Sequence, residues 1–284
     1  MDLGRFGVWW SGAWRSEDQS IDVVAELEDL GYGAIWSSGG FDPGLADRFA
    51  RLLGATDHIA VASGIVSIWT SPAEEIARAV DALEADHPGR FLLGIGASHG
   101  PIVQDYNRPY SHMVSYLDAL DASTPTVPKD RRALAALGPK MLSLSAERSA
   151  GAHPYFVPVE HTARAREILG PGPLLAPEVT VVLESDPERA RELARTFTTG
   201  YLGLPNYANN LRTLGYGEDD LAGGGSDRLV DAVVAWGDVD AVAGRLRQHH
   251  EAGADHVCVQ VIAEGRAVFP LEQYRQLAPA VLGS

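Results

Sequence analysis

The residues best suited to chemistry lie in Gly94-Ile95-Gly96-Ala97-Ser98-His99-Gly100, where an apolar run ends in small residues and then a histidine. An imidazole with an unperturbed pKa of ~6.5 gives or takes a proton near neutral pH. Small residues ahead of it let a ligand approach the backbone. His99 is therefore the candidate proton donor or acceptor. The run has the look of a dinucleotide loop, but the third glycine of that fingerprint falls on His99 and no helix opens directly after it. A Rossmann assignment fails. Gly64-Ile65-Val66-Ser67-Ile68-Trp69 ends another apolar run, and buried β-branched packing explains Ile65 and Val66 but not Gly64. Leu137-Gly138-Pro139-Lys140 stands at the start of a helical pattern, where free N–H groups suit a phosphate. Pro139 brings no donor, so an ordinary helix start fits the spacing equally well.

Trp9, Trp10, Trp14, Trp36 and Trp69 fall at or just beyond the ends of apolar runs. Core packing accounts for any one of them, and several at one mouth suit a pocket for a flat ring. His58, His161, His249 and His250 read as surface or helix-end residues without a role. There is no His-Glu-x-x-His, paired Cys-x-x-Cys, Gly-Lys-Ser/Thr or Gly-x-Ser-x-Gly. Zincin, zinc-ribbon, P-loop and lipase chemistry have no support.

The elements that would hold these residues repeat one unit: a short apolar strand, a polar turn, an amphipathic helix, then a glycine. Arg5–Trp10 reads as the first strand, and Ser16 with Gln19 forms a capping box ahead of a helix ending at Gly31. Further strands are expected at 33–37, 59–67, 91–97, 132–137, 151–155, 178–184 and 256–262. Helices open at Asp42-Pro43, at Ser71-Pro72-Ala73-Glu74, near Tyr110, Gly138 and Glu160, at Asp186-Pro187 and at Asp238. Eight strands alternating with helices predict parallel pairing, and eight is the number that closes a (β/α)₈ TIM barrel. At 284 residues the chain suits one such domain of ~250 residues. Residues 198–226, rich in Gly, Asn and Tyr, break the rhythm and read as an insertion at the barrel mouth after the seventh strand. Tyr207 and Asn210 are its candidate polar contributors.

A net charge of −15 argues against nucleic-acid and anionic-membrane partners, which need Lys and Arg clusters. No stretch approaches ~18 uninterrupted apolar residues. No signal peptide is visible, and the one cysteine, Cys258, reads as a buried thiol, so a cytoplasmic protein is expected.

With these pieces placed, the chain resembles the luciferase-like oxidoreductases, especially those that use the deazaflavin coenzyme F420. Matching segments are Leu30-Gly-Tyr-Gly-Ala-Ile-Trp36, Ala62-Ser-Gly-Ile65, His87-Pro-Gly-Arg-Phe-Leu-Leu-Gly-Ile-Gly96, Ala136-Leu-Gly-Pro-Lys-Met141 and Gly253-Ala-Asp-His-Val-Cys-Val-Gln260. The resemblance implies a barrel, usually dimeric, whose flavin-like ring lies over a third-strand bulge with a non-prolyl cis peptide, here Gly64–Ile65. It implies cofactor contacts at Ser38, Gly64, Ile65, Val66, Gly96, Ser98, Gly138, Pro139 and Met141, with the phosphate near the last three and near Gly96–Ser98. Sugar-phosphate dehydrogenases of this class carry an acid–histidine pair where this chain has Ser38-Gly39, and a carboxylate where it has His99. A sugar phosphate is therefore not the expected substrate. The reading is hydride exchange between F420 and a small organic substrate. An FMN-dependent monooxygenase, and a barrel that binds flavin without turnover, are the alternatives.

Overall fold

The computed structural model describes residues 1–10, 17–38, 44–264 and 269–283. Ser16, Gly39, Asp42-Pro43 and Trp14 lie outside the described residues, as does the side chain of Gln19. Among the described residues the strands are β1 (Phe6–Trp10), β2 (Ala34–Ser37), β3 (Ala60–Ser63), β4 (Val66–Ser67), β5 (Phe91–Gly96), β6 (Arg132–Leu134), β7 (Gly151–Ala152), β8 (Leu174–Leu175), β9 (Glu178–Leu183), β10 (Val234–Gly237) and β11 (Val257–Val261). The helices are α1 (Glu17–Asp29), α2 (Leu45–Gly54), α3 (Ala73–Asp86), α4 (Pro109–Ala122), α5 (Pro139–Arg148), α6 (Val159–Leu169), α7 (Pro187–Leu202), α8 (Pro205–Thr213), α9 (Glu218–Leu221), α10 (Asp227–Val233), α11 (Val239–Glu251) and α12 (Leu271–Leu282).

The fold is α/β, with a curled, all-parallel sheet in the order β10-β9-β11-β1-β2-β3-β5-β6-β7-β8, and with β4 paired to β5. β1, β2, β3 and β5 are buried at every residue, as expected of strands covered on both faces. The stretch that contains β8 and opens β9 bonds both to the segment that follows β7 and to the segment that leads into β11. Ala176 and Glu178 N–H donate to the carbonyls of Ala152 and Pro154, while the carbonyls of Leu175 and Pro177 accept from Asp255 and Cys258 N–H.

Several expectations change in detail. The run read as one strand over 59–67 is split into β3 and β4. The fifth and sixth strands stop at Leu134 and Ala152, short of Leu137 and Tyr155. β10 was not foreseen, because four residues between two helices carry too little periodicity to register. Ser71 does not cap α3 through its side chain; the cap residue is Pro72, and the Ser71 carbonyl accepts from the Tyr116 hydroxyl. Asp186 and Asp238 do cap α7 and α11. The Gly- and Asn-rich stretch is helical, since α7 runs on past Thr198 to Leu202 and α8 follows from Pro205. His161 and His249, read as surface residues, are each 1% exposed. His249 pairs with the Thr162 hydroxyl, so a second polar side chain, not solvent, meets its ring. Cys258 is buried as expected. Among the described residues no helix is long and apolar enough to cross a membrane.

Candidate functional site

The site begins with one extra residue. Ala62 pairs with Leu92 and Val66 with Ile95, so four steps along the β3–β4 side answer three along β5. The surplus makes a β-bulge at Ser63-Gly64-Ile65, and the Gly64–Ile65 peptide bond is cis. Where the backbone ladder is interrupted, the Ser63 hydroxyl replaces it, donating to Gly94 O (2.9 Å) and accepting from Gly94 N–H (2.8 Å). A Cβ at Gly94 would land on the Ser63 carbonyl, which fixes a glycine there. A Cβ at Gly96 would meet Ile65 Cγ1 at 2.6 Å, and one at Gly64 would meet Trp9 Cζ3 at 2.5 Å.

β5 leaves the sheet through Ala97, whose carbonyl accepts from the Trp69 indole (2.6 Å), and through Ser98 with φ +56°. That turn delivers His99 to the wall of a cavity of about 370 Å³, which the bulge also lines. Trp9, Ser38, Gly64, Ile65, Gly96, Ser98, His99, Met141, His153, Tyr155, Tyr201, Asn206 and Tyr207 all contribute to its wall. The Asn206 Oδ1 accepts from His99 Nδ1 at 3.0 Å. In a neutral ring this leaves Nε2 as a lone pair. Burial lowers the His99 pKa, partly offset by the Asn206 bond, so that lone pair is free at neutral pH.

Opposite elements supply an aromatic wall. Tyr155 follows β7, donates to Gln260 Oε1 (2.7 Å) and meets the Tyr201 hydroxyl at 2.8 Å. Its one proton is committed to Gln260, so Tyr201 donates to it. Tyr207 of α8 packs on Tyr155, Tyr201 and His99. His153, two residues before Tyr155, stacks on Trp36 with ring centroids 4.0 Å apart. Trp36 is in turn held by its indole N–H to His256 Nε2 (3.0 Å), and His256 Nδ1 donates to Gly4 O (2.8 Å). Glu178 lies fully buried behind this wall, accepting from Thr180 Oγ1 and Phe156 N–H, and burial pushes its carboxyl up to about 7. Among the described residues, no cluster of three metal-ligating side chains occurs.

Of the ten residues singled out in the sequence, Ser38, Gly64, Ile65, Gly96, Ser98, His99 and Met141 line this cavity. Val66 does not; it is 1% exposed and pairs with Ile95 beneath the bulge. Gly138 and Pro139 head α5 while Leu137 and Met141 on either side reach the cavity. Of the tryptophans, Trp9 lines it, whereas Trp10 stacks on Phe269 and Trp36 is core. Tyr207 lines it and Asn210 does not. Sequence reasoning passed over His153, Tyr155, Tyr201 and Asn206. A signal for two existed: His153 and Tyr155 are two apart just beyond a strand end, the spacing that puts side chains on one face.

A sequence model of the luciferase-like monooxygenase family matches residues 5–256. The chain belongs to that family. Among curated proteins no sequence matches the chain. Solved structures of the same fold include an F420-dependent secondary alcohol dehydrogenase in complex with an F420–acetone adduct (14% identity, 98% of each chain covered, TM-score 0.74). The F420-dependent tetrahydromethanopterin reductase of Methanopyrus kandleri is similar too (15%, 98% of each chain, TM-score 0.69). So is the FMN complex of the oxygenating constituent of 3,6-diketocamphane monooxygenase from Pseudomonas putida (18%, 98% of this chain and 96% of that one, TM-score 0.68).

Proposed function

We propose that this cavity holds a deazaflavin, and that the protein is an oxidoreductase exchanging hydride between coenzyme F420 and a small organic substrate. The observation that carries the reading is His99, a half-buried imidazole whose pKa burial lowers and whose tautomer Asn206 sets, lining the same cavity as the glycine-bearing bulge. The residues fit a flat heteroaromatic group. Trp9, Tyr155 and Tyr207 offer apolar faces, Gly64 and Gly96 present bare backbone, and the buried Nε2 of His153 has no partner among the described residues. Ser38, Ile65 and Ser98 flank the ring in this reading, with Val66 supporting Ile65 from below. At the head of α5 the space beside Gly138 is open. The N–H groups of Lys140 and Met141 precede the helix's first internal bond, from Leu142 to Gly138 O, and with Pro139 fixing the turn they suit a phosphate.

A bound deazaflavin supplies the hydride acceptor. The protein's part is to exclude water, to hold the substrate carbon toward the bulge and to move one proton. As an alcohol loses hydride from carbon, His99 Nε2 takes the hydroxyl proton; in carbonyl reduction it returns that proton to oxygen. Two F420-dependent enzymes, one with an acetone adduct, share the fold and are compatible with this choice, as the FMN-bound monooxygenase of the same fold is with the alternative. The sheet is read as a complete (β/α)₈ barrel with residues 198–226 an insertion covering its mouth, in a cytoplasmic homodimer.

The test is a visible-spectrum titration of purified protein with F420 and with FMN separately, followed by secondary alcohols. Saturable F420 binding and bleaching of its absorbance by an alcohol is the expected result. Binding of FMN alone, with oxygen uptake, would replace this reading by the monooxygenase one.

A further inference from the structure

His153 carries an atom that no described residue uses. The imidazole is 1% exposed and lies in an aromatic stack, on Trp36 at 4.0 Å with planes 11° apart and beside Trp9 at 5.9 Å and 14°. The Ala176 carbonyl 2.6 Å from Nδ1 can only accept, so Nδ1 bears the proton. Burial, reinforced by the neighbouring His256, holds the ring's pKa down to about 4, against the Ala176 bond that raises it. The ring is therefore neutral and its second nitrogen is a bare acceptor. Nε2 is shielded from solvent and meets no donor among the described residues, while His153 forms part of the cavity wall. Buried acceptors in native proteins are as a rule satisfied, and a buried polar group that loses its partner gives up stability or affinity.

We propose that His153 Nε2 accepts a hydrogen bond from the ligand, making it the residue that selects a flat or small molecule presenting an N–H or O–H at this wall. This rests on reading the cavity as a ligand site, and not on which cofactor fills it. The donor has two sources of the same chemistry, an N–H at the edge of a cofactor ring or the hydroxyl of a substrate. His153 is a positioning and specificity residue rather than a second base, because a nitrogen this acidic in its protonated form keeps no proton at neutral pH. Its fixed tautomer gives the discrimination a direction. An alcohol or imide N–H satisfies Nε2, whereas an ether or an N-methyl imide leaves it buried and unpaired.

The experiment uses full-length protein with ¹⁵N-labelled histidine and ¹³C-labelled tryptophan and tyrosine, the His153, Trp9 and Tyr155 signals being assigned by their loss in His153→Phe, Trp9→Phe and Tyr155→Phe. Phenol and anisole form one probe pair, of equal shape at the ring but with and without an O–H. FMN, F420 and 2-propanol are the others. Phenol is expected to move the His153 Nε2 resonance and anisole to leave it in place. A shift with F420 or FMN assigns the natural donor to the cofactor ring, and a shift with 2-propanol alone assigns it to the substrate. Affinity for whichever probe moves the signal should drop ~10-fold in His153→Phe, which keeps a ring for the stack, and recover in His153→Gln, which keeps an acceptor. If the probes move the Trp9 and Tyr155 resonances but never Nε2, the inference is wrong while the cavity remains a ligand site. If they move none of these, the cavity reading itself fails and takes the inference with it.

Discussion

Two histidines share the cavity and differ in what holds Nδ1: a side-chain amide for His99, a backbone carbonyl for His153. Only the first can be tuned without disturbing the sheet. In His99→Ala the turnover of a competent alcohol should fall by ~10²–10⁴-fold with cofactor affinity nearly intact, the usual size of an acid–base contribution. Wild-type turnover at saturating cofactor would remove His99 from catalysis. Asn206→Asp places a carboxylate on the same nitrogen and raises the His99 pKa. Because the neutral ring is the base, the acidic limb of the alcohol-oxidation profile should then move to higher pH; a limb that stays put means another group takes the proton. His99 was legible in the sequence because it directly follows the small-residue strand end that positions it. Its partner was not, since Asn206 lies 107 residues on and only the packing of α8 over the strand ends brings the two together.

At the scale of elements, the bulge is where sequence and structure part. A reader of residues 59–67 sees a mostly apolar run with four β-branched residues, and Gly64 hints at a break. What splits the run is tertiary: the Ser63 carbonyl turns in over Gly94, and the Ser63 hydroxyl takes up both backbone groups of Gly94. A Cβ added at Gly64 would meet the Trp9 indole. Strands with full apolar runs, such as β1, β5 and β9, were readable from the sequence and β7 lies within the expected 151–155, while β8 and β10 are held by two and four residues that only their neighbours define. Gly94→Ala forces a methyl against a carbonyl that cannot swing away, and should cost about 3 kcal/mol or more in urea unfolding. Gly200→Ala, in α7 with nothing within 4 Å of the new Cβ, should instead stabilise by ~0.5–1 kcal/mol. Equal unfolding midpoints for the two variants would show that the close approach at Gly94 is not rigid.

The whole molecule pools its buried charges into one pH response. Burial holds the pKa of His153 and His256 down to about 4 and that of His249 down to about 3, so all three stay neutral when folded. Unfolded, each protonates near 6.5. As pH falls from 6.5 toward 4 the unfolded chain takes up protons that the folded chain refuses, and stability falls with it; above 6.5 these groups change nothing. Glu178 acts in the other direction, because burial pushes its folded pKa up to about 7 while unfolded it ionises near 4.5. Its contribution is present below 4.5 and is lost as pH rises through 7. Around pH 5.5 three histidine protons on the unfolded side stand against one carboxyl proton on the folded side. From these four groups alone a net uptake of about two protons on unfolding makes stability fall by about 2.5 kcal/mol per pH unit. His99, His161 and His250, whose pKa burial also lowers, act in the same direction. Urea midpoints at pH 7, 6 and 5 should therefore drop steeply over the second interval, and His249→Gln should flatten the slope by about 1.4 kcal/mol per pH unit. A level stability between pH 6 and 5 would mean that these rings are hydrated or charged in the folded protein, and the stack of Trp36 on His153 would have to be redrawn.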